Sequence, residues 1–195
     1  MKGHGRLVID LNKSKNTSID TNYLDKCLLS IKNGDLSYMS DLYNLTSKSI
    51  YSYALSILRN KEDAEDVTHD CYVIVYKSIH QYSSKGKPLS WLITITRNLA
   101  LARLNEKSKI DDREIEEFNF PMQEGMSATD RDLINTCMNL LNQEERQVII
   151  LHAVSGFKHR EIAHIMNMSL SGVLSKYNRA IKKVRAHLQK GMLYE

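Results

Sequence analysis

Apolar residues recur at spacings of three and four along most of the chain, which predicts amphipathic helices throughout. Tyr23, Leu24, Cys27, Leu28 and Ile31 form a first stripe, stopped by Asn33-Gly34. A longer helix is predicted from about Asp35 to Arg59, with Leu36, Met39, Leu42, Tyr43, Ile50, Ala54, Leu55 and Leu58 inward, broken at Asn60. The next, about Glu62 to His80, places Ala64, Val67, Cys71, Ile74, Val75 and Ile79 on one side. After the loop Ser83-Ser84-Lys85-Gly86-Lys87, Pro88 suits a first helical position. The helix Leu89–Lys107 that follows carries Trp91, Leu92, Ile95, Leu99 and Ala102 inward. Periodicity lapses from Lys109 to about Asp130 and resumes in a helix from Arg131 to Leu141.

Three more helices are legible in Asn142–Lys183. Asn142 and Glu145 have the spacing of a capping box, and Gly156 suits the left-handed residue beyond the helix. A short helix over Arg160–Met166 buries Ile162, Ala163 and Met166, and Asn167 sits where a tight turn needs positive φ. Ser169 caps the last helix, in which Val173 and Tyr177 are neighbours one turn apart. Two short helices joined by about three residues, with a small Ala at their crossing, are the helix-turn-helix pattern. Its second helix enters the DNA major groove by its N-terminal end, here Leu170, Ser171, Leu174 and Ser175. From Lys158 to Lys190 there are eight Lys or Arg against one acid, Glu161. A solvated basic face on an ordinary three-helix core is the plainer reading; the turn spacing and local charge together favour DNA.

The rest of the composition narrows the picture. The fold class is all-α: an N-terminal helical bundle over 21–108 and a C-terminal helix-turn-helix domain over 131–190. A flexible acidic linker over 109–130 joins them. Residues 1–20 are polar and aperiodic and read as a mobile arm. The segment Glu106–Asp132 holds nine acids and four bases. Three well-separated cysteines, Cys27, Cys71 and Cys137, suggest a reducing cytoplasm and no zinc site. No apolar run approaches the ~18 residues of a membrane span, and the N-terminal Arg6-Leu7-Val8-Ile9 run is too short for a signal peptide.

Chemistry-bearing residues point away from catalysis. His69, Asp70 and Cys71 are adjacent on a helix and cannot converge on a metal. His152, His159 and His164 are spread over two helices, and no glycine-rich phosphate loop is present. No metal or cofactor is expected. Glu62, Asp63, Glu65 and Asp66 suit the positive end of their helix, and they also offer a negative patch to a basic partner. Trp91 is by default a core residue. Near Ser90, Thr94, Arg97 and Asn98 it is alternatively an aromatic surface for unpaired bases.

Taken together, these residues resemble a bacterial RNA polymerase sigma factor of the small, two-domain extracytoplasmic-function type. Four pieces carry the resemblance: Asp63-Ala64-Glu65-Asp66-Val67; Trp91-Leu92-Ile93-Thr94-Ile95-Thr96-Arg97-Asn98; Leu141-Asn142-Gln143-Glu144-Glu145-Arg146; and Glu161-Ile162-Ala163 with Val173, Ser175, Arg179 and Ala180. The resemblance implies docking of Asp63, Glu65, Asp66, Asp70 and Tyr72 on the polymerase core. It implies contact of Ser90, Trp91, Thr94, Arg97, Asn98 and Arg103 with a melted minus-ten element, where a flipped base is held. It implies reading of a minus-thirty-five element by Arg160, Ser169, Ser171, Leu174, Ser175, Lys176, Arg179, Lys182 and Lys183. Expected partners are the polymerase core subunits, promoter DNA and an inhibitory anti-sigma protein, in the cytoplasm and without membrane insertion.

The chain departs from the family pattern at several points. Ala102 stands for an Asp and Asn105 for an Arg at the end of the melting helix. Lys158 replaces a Ser or Thr cap, Ser171-Gly172 a Gly-Thr pair, and Leu174 a Lys. Gly172 costs up to about 1 kcal/mol of helix propensity relative to Ala, and Leu174 suits a thymine methyl. The competing reading is an autonomous helix-turn-helix regulator with a dimerising or ligand-binding N-terminal half.

Overall fold

The computed structural model describes residues 19–108, 118 and 127–191, with side chains to 189. The expected arm, except for its last two residues, and most of the expected linker lie outside them. Among the described residues the chain is all-helical: α1 (Thr21–Lys32), α2 (Tyr38–Leu58), α3 (Lys61–Ser78), α4 (Pro88–Ser108), α5 (Ala128–Asn139), α6 (Gln143–Ala153), α7 (His159–Ile165) and α8 (Leu170–Gly191). A single 3-10 turn, Ile79–Gln81, ends α3.

Local chemistry sets these boundaries. Asp20 caps α1 by accepting from the Asn22 and Tyr23 amides. Between α1 and α2, Gly34 takes a φ of 97°, and the Asp35 carboxylate accepts from the amide and hydroxyl of Ser37. That local turn delays α2 to Tyr38 and leaves Leu36 half exposed, so Leu36 is not the inward helical residue expected. Arg59 adopts φ 53° to end α2, and Asn60 then caps α3 by accepting from the Asp63 amide at 2.8 Å. The two helices thus turn back on each other within two residues. Ser127 caps α5 three residues earlier than the periodicity predicts.

Helices α2, α3 and α4 pack mutually, with α1 across α2 and α4. The core between them holds Leu24, Leu28, Leu42, Ile50, Tyr53, Ala64, Val67, Cys71, Val75, Leu92, Ile93 and Ala100. Burial of α4 is rotated from the expected stripe. Leu92, Ile93, Thr96 and Ala100 are fully enclosed, Trp91, Ile95 and Leu99 are half-buried, and Ala102 is exposed. The cause is that α4 is covered from α1, α2 and α3 at once, so its buried surface is wider than one amphipathic stripe. On α3, Val75 rather than Ile74 shares the buried side; Ile74 faces outward, as does Tyr43 of α2.

The C-terminal helices do not stand apart. Helix α6 packs on α2 as well as on α8, and one apolar cluster runs from α1 through to Val173 of α8. Arg146 of α6 lies at this junction, fully buried. Its guanidinium donates to the carbonyls of Ser56 (3.2 Å) on α2, Met138 (3.2 Å) and Leu141 (2.8 Å). The ring of Phe118 covers it with 5.6 Å between guanidinium carbon and ring centroid. Asn139 holds Phe118 through both backbone polar groups and accepts from Arg59 of the α2 terminus. Burial, with Arg59 nearby, lowers the Arg146 pKa to about 10, so the group stays charged at neutral pH.

Replacing Arg146 by Met keeps most of the bulk but takes a donor from three carbonyls, of which, among the described residues, that of Met138 alone retains one, the Leu141 amide. Arg146→Met is therefore expected to lose at least ~2 kcal/mol, read as a lower thermal midpoint. An unchanged midpoint would mean that water takes over the three acceptors and that the junction does not depend on the charge.

Candidate nucleic-acid and partner interfaces

Helix α3 was expected to present five residues to a partner, and the structure divides them. Asp63 is nearly enclosed: its carboxylate pairs with Arg103 Nε at 3.1 Å and with Lys107 Nζ at 2.6 Å, both on α4. Tyr72 is buried, its hydroxyl 2.9 Å from Thr46 Oγ1 and its ring against Tyr43. Burial pushes the Tyr72 hydroxyl pKa up. Of the acids assigned to the partner, Glu65, Asp66 and Asp70 are left on the open surface, where Glu62 of the same helix is exposed too. Beside them lie Val73, Ile74 and Tyr76, large apolar side chains that sequence reasoning missed. Their exposure was illegible because the unbroken apolar run Cys71–Tyr76 marks no single buried face until the covering helices are placed.

Arg103 was assigned to DNA, but it is tied to α3 through Asp63 and Asp66. Burial alone would lower its pKa; the two carboxylates more than reverse that and raise it. The other expected residues of α4 share one stripe. Ser90, Thr94 and Asn98 follow each other at successive turns, with Thr94 and Asn98 exposed. Arg97 flanks them and reaches the α2–α4 interface, where its charge acts on the buried Tyr53 hydroxyl against the upward push of burial. Trp91 is half-buried, tilted on Tyr82 with centroids 5.0 Å apart. Part of the Trp91 ring thus supports the core, and the rest is accessible.

Tyr82 and Asp25 are positioning residues that the sequence did not reveal. The Tyr82 hydroxyl and Ser84 Oγ both donate to Asp25 of α1, and Lys32 donates to the Tyr82 carbonyl. These bonds pin the base of the Lys85-Gly86-Lys87 loop, and Gly86 turns it with φ 68°. Asp25 gave no signal, because its partners are more than fifty residues away. A cleft of about 170 Å³ lies beyond this loop, between Gly86–Ser90 and the α6–α7 turn Val154–Phe157.

The helix-turn-helix has the predicted backbone. Gly156 has φ 75° and Asn167 φ 53°. The Asn142–Glu145 capping box is formed in both directions, at 2.9 and 3.1 Å. Glu145 also accepts from Lys183 of α8 at 2.6 Å. Its burial would raise its pKa, but the Lys183 and Asn142 hydrogen bonds and the Lys183 and Arg179 charges hold it below the usual value. Lys176 pairs with Glu144 and is mostly covered. Two of the cations assigned to DNA, Lys176 and Lys183, thus tie α8 to α6. Arg179, Lys182 and Arg160 are exposed, as are Ser169, Ser171, Leu174 and Ser175.

Ser169 Oγ accepts from the Gly172 amide at 3.1 Å. A Cβ added at Gly172 would lie 3.1 Å from that same oxygen, so glycine leaves the cap room. Lys158 caps α7 without a side-chain acceptor; Glu161 compensates in part by accepting from the Lys158 amide at 2.9 Å. Behind the motif, His152 and His159 stack at 4.6 Å, and Tyr177 meets both edge-on. Among the described residues no group of His, Cys, Asp and Glu is arranged to hold a metal ion, and no helix is long and apolar enough to cross a membrane.

The comparisons agree with this geometry. Sigma-70 region 2 matches residues 42–110, and Sigma-70, region 4 matches residues 131–191. The chain is 23% identical over 159 residues to the ECF RNA polymerase sigma factor SigX of Bacillus subtilis, covering 76% of this chain and 82% of that one. It is 22% identical over 171 residues to SigK of Mycobacterium tuberculosis, covering 83% and 91%. Its fold is similar to that of the sigma factor RpoE from Bartonella quintana, solved with the anti-sigma factor NepR (TM-score 0.67, 21% identity, 77% of this chain and 96% of that one). It is also similar to CnrH, solved with the cytosolic domain of CnrY (TM-score 0.62, 18% identity, 85% and 96%). The chain belongs to the extracytoplasmic-function sigma factors, with regions 2 and 4, and is a non-enzymatic transcription initiation factor.

Two outcomes follow from the motif's geometry. Lys158→Ser supplies the missing acceptor at the α7 N-cap and is expected to raise stability by about 1 kcal/mol, seen as a higher denaturation midpoint. A midpoint unchanged or lowered would mean that Glu161 already satisfies that end. The second concerns pH. Burial, then the charge of His152, lowers the His159 pKa below 6.5, and His159 Nε2 is enclosed without a partner. Neutral His159 is therefore the folded form. Its contribution is complete above pH 6.5 and is lost as pH falls through the depressed folded value. His159→Phe should keep the stack on Tyr177 and remove that part of the acid decline in thermal midpoint. Equal declines in both proteins would exclude His159 as its source.

Proposed function

We propose that this sigma factor binds the RNA polymerase core through α3, melts and holds a minus-ten element along α4, and reads a minus-thirty-five element with α8. The chain makes and breaks no covalent bond; it selects the promoter and helps to open it. The observation that carries this reading is the open stripe Ser90–Thr94–Asn98 beside the accessible part of Trp91, in a chain that also carries a helix-turn-helix. A duplex reader needs only the second; stacking and hydrogen-bonding groups together suit unpaired bases.

The core-binding face consists of Glu65, Asp66 and Asp70 with the apolar Val73, Ile74 and Tyr76. Asp63 acts indirectly, by fixing Arg103 and Lys107 on α4. Backbone phosphates of the upstream duplex are met by Arg160, Arg179 and Lys182, whose charges are exposed. RpoE was solved with an anti-sigma factor, and a protein inhibitor of that kind is the expected partner here. The protein works in the cytoplasm, where polymerase and promoter meet. An autonomous regulator has no use for the α4 stripe, and family membership sets that reading aside.

Run-off transcription with core enzyme across genomic promoter fragments tests the proposal. Specific starts are expected only with chain and core together; none on any fragment, with core bound, would falsify it. Arg179→Ala and Lys182→Ala should each flatten the salt dependence of upstream-duplex binding by about one unit of log–log slope. Lys176→Ala should change it less, because Lys176 is held by Glu144. The reverse order would mean that the Lys176 pair breaks on DNA.

A further inference from the structure

The end of α8 that enters the groove carries an unusual set of groups. Leu170 and Leu174 are 37% and 39% exposed, one turn apart, on a helix whose buried side is marked by Val173 and Ala180. Asn178 follows one further turn along and is exposed. At about 100° per residue, Leu174, Asn178, Ser171 and Ser175 fall within roughly a 100° arc, with Leu170 at its edge. This is the face a recognition helix turns to base edges.

Over the groove-entering part of that face, Leu170 to Asn178, groups that mark a G·C pair are missing; the exposed Lys182 and Arg185 share the arc only beyond Asn178, one and two turns further along. Guanine is read by Arg or Lys, and cytosine by Asp or Glu. From Leu170 to Asn178 the sole charged residue is Lys176. It lies on another side of the helix, ion-paired to Glu144 with its side chain 14% exposed. Arg179 lies at the margin of the arc, its Nε directed to the Ser175 carbonyl. What the face does offer is apolar contact for a thymine methyl, an amide that matches adenine N6 and N7, and hydroxyls that fit either pair.

We infer that Leu170, Leu174 and Asn178 are specificity-determining residues and that this sigma factor selects A·T pairs in its upstream element. The leucines read thymine methyl groups and Asn178 reads adenine. The inference rests on α8 being the upstream reader, as proposed above. The cost of a lone exposed leucine in water is offset in the groove, where its methyl groups and the base methyl leave solvent together.

The test uses the full chain with core polymerase and duplex promoters randomised upstream, selected for binding. The expected result is fixed A·T positions. Replacing the selected thymines by deoxyuridine, which removes the methyl alone, should then weaken binding by about fourfold per contacted base. The same replacement should cost nothing further in Leu174→Ala, and Leu174→Lys should move the preference at that position toward guanine. Adenine changed to 7-deazaadenine should weaken the wild type and leave Asn178→Ala unaffected. Fixed G·C positions, or uracil binding as well as thymine, would overturn the inference while leaving α8 as the reader. No upstream preference at all, with a downstream preference retained, would remove α8 from that role and the inference with it. Core binding by each variant, measured in parallel, separates lost readout from lost folding.

Discussion

The buried guanidinium of Arg146 is the constraint on which the arrangement of the chain depends. A charge can be enclosed only if hydrogen-bond acceptors replace water. Here they are three backbone carbonyls, one at the end of α2 and two at the α5–α6 corner. Carbonyls at helix ends lack intrahelical partners, so the arginine meets a need on both sides of the junction. The sequence-distant segments are therefore joined by directional bonds rather than by apolar contact alone. Phe118 and Asn139 complete the enclosure and bring one point of the intervening segment into the core.

Elsewhere the structure sorts charge into two populations. One is paired between helices around a buried carboxylate and sets geometry: Asp63 with Arg103 and Lys107 locks α3 to α4, and Glu145 with Lys183 locks α6 to α8. The other lies open: Glu65 and Asp70 on α3, and Arg179, Lys182 and Arg185 on α8, while Asp66 is exposed and still pairs with Arg103. A count of acids and bases along the chain cannot make that distinction. Asp63 and Asp66 are one turn apart and chemically the same, yet the Asp63 side chain is 8% exposed and that of Asp66 62%. Position relative to the covering helix alone decides which is offered to a partner.

Local interactions explain why so much of the architecture was readable in the chain. Capping at Asn142, positive φ at Gly156 and Asn167, and the turn of the helix-turn-helix each depend on residues within a few positions. The all-α class, the order of the helices and the sigma-factor signatures follow from such local patterns. Periodicity also located α4 and Trp91. It misplaced the buried side of α4, because a helix covered by three others does not show a single stripe.

What only the tertiary structure decided is which side chains remain available. Tyr72 went inside while Ile74 and Tyr76 went outside, and Lys176 and Lys183 turned to carboxylates on α6 while Lys182 did not. Leu170 and Leu174, which the helix-turn-helix pattern places at the groove end of α8, are exposed there. By itself the sequence determined helix type, helix ends and the family, since these rest on short-range hydrogen bonding and spacing. Tertiary structure decided exposure, pairing and the junction at Arg146, since these rest on contacts between residues tens of positions apart that no local pattern encodes.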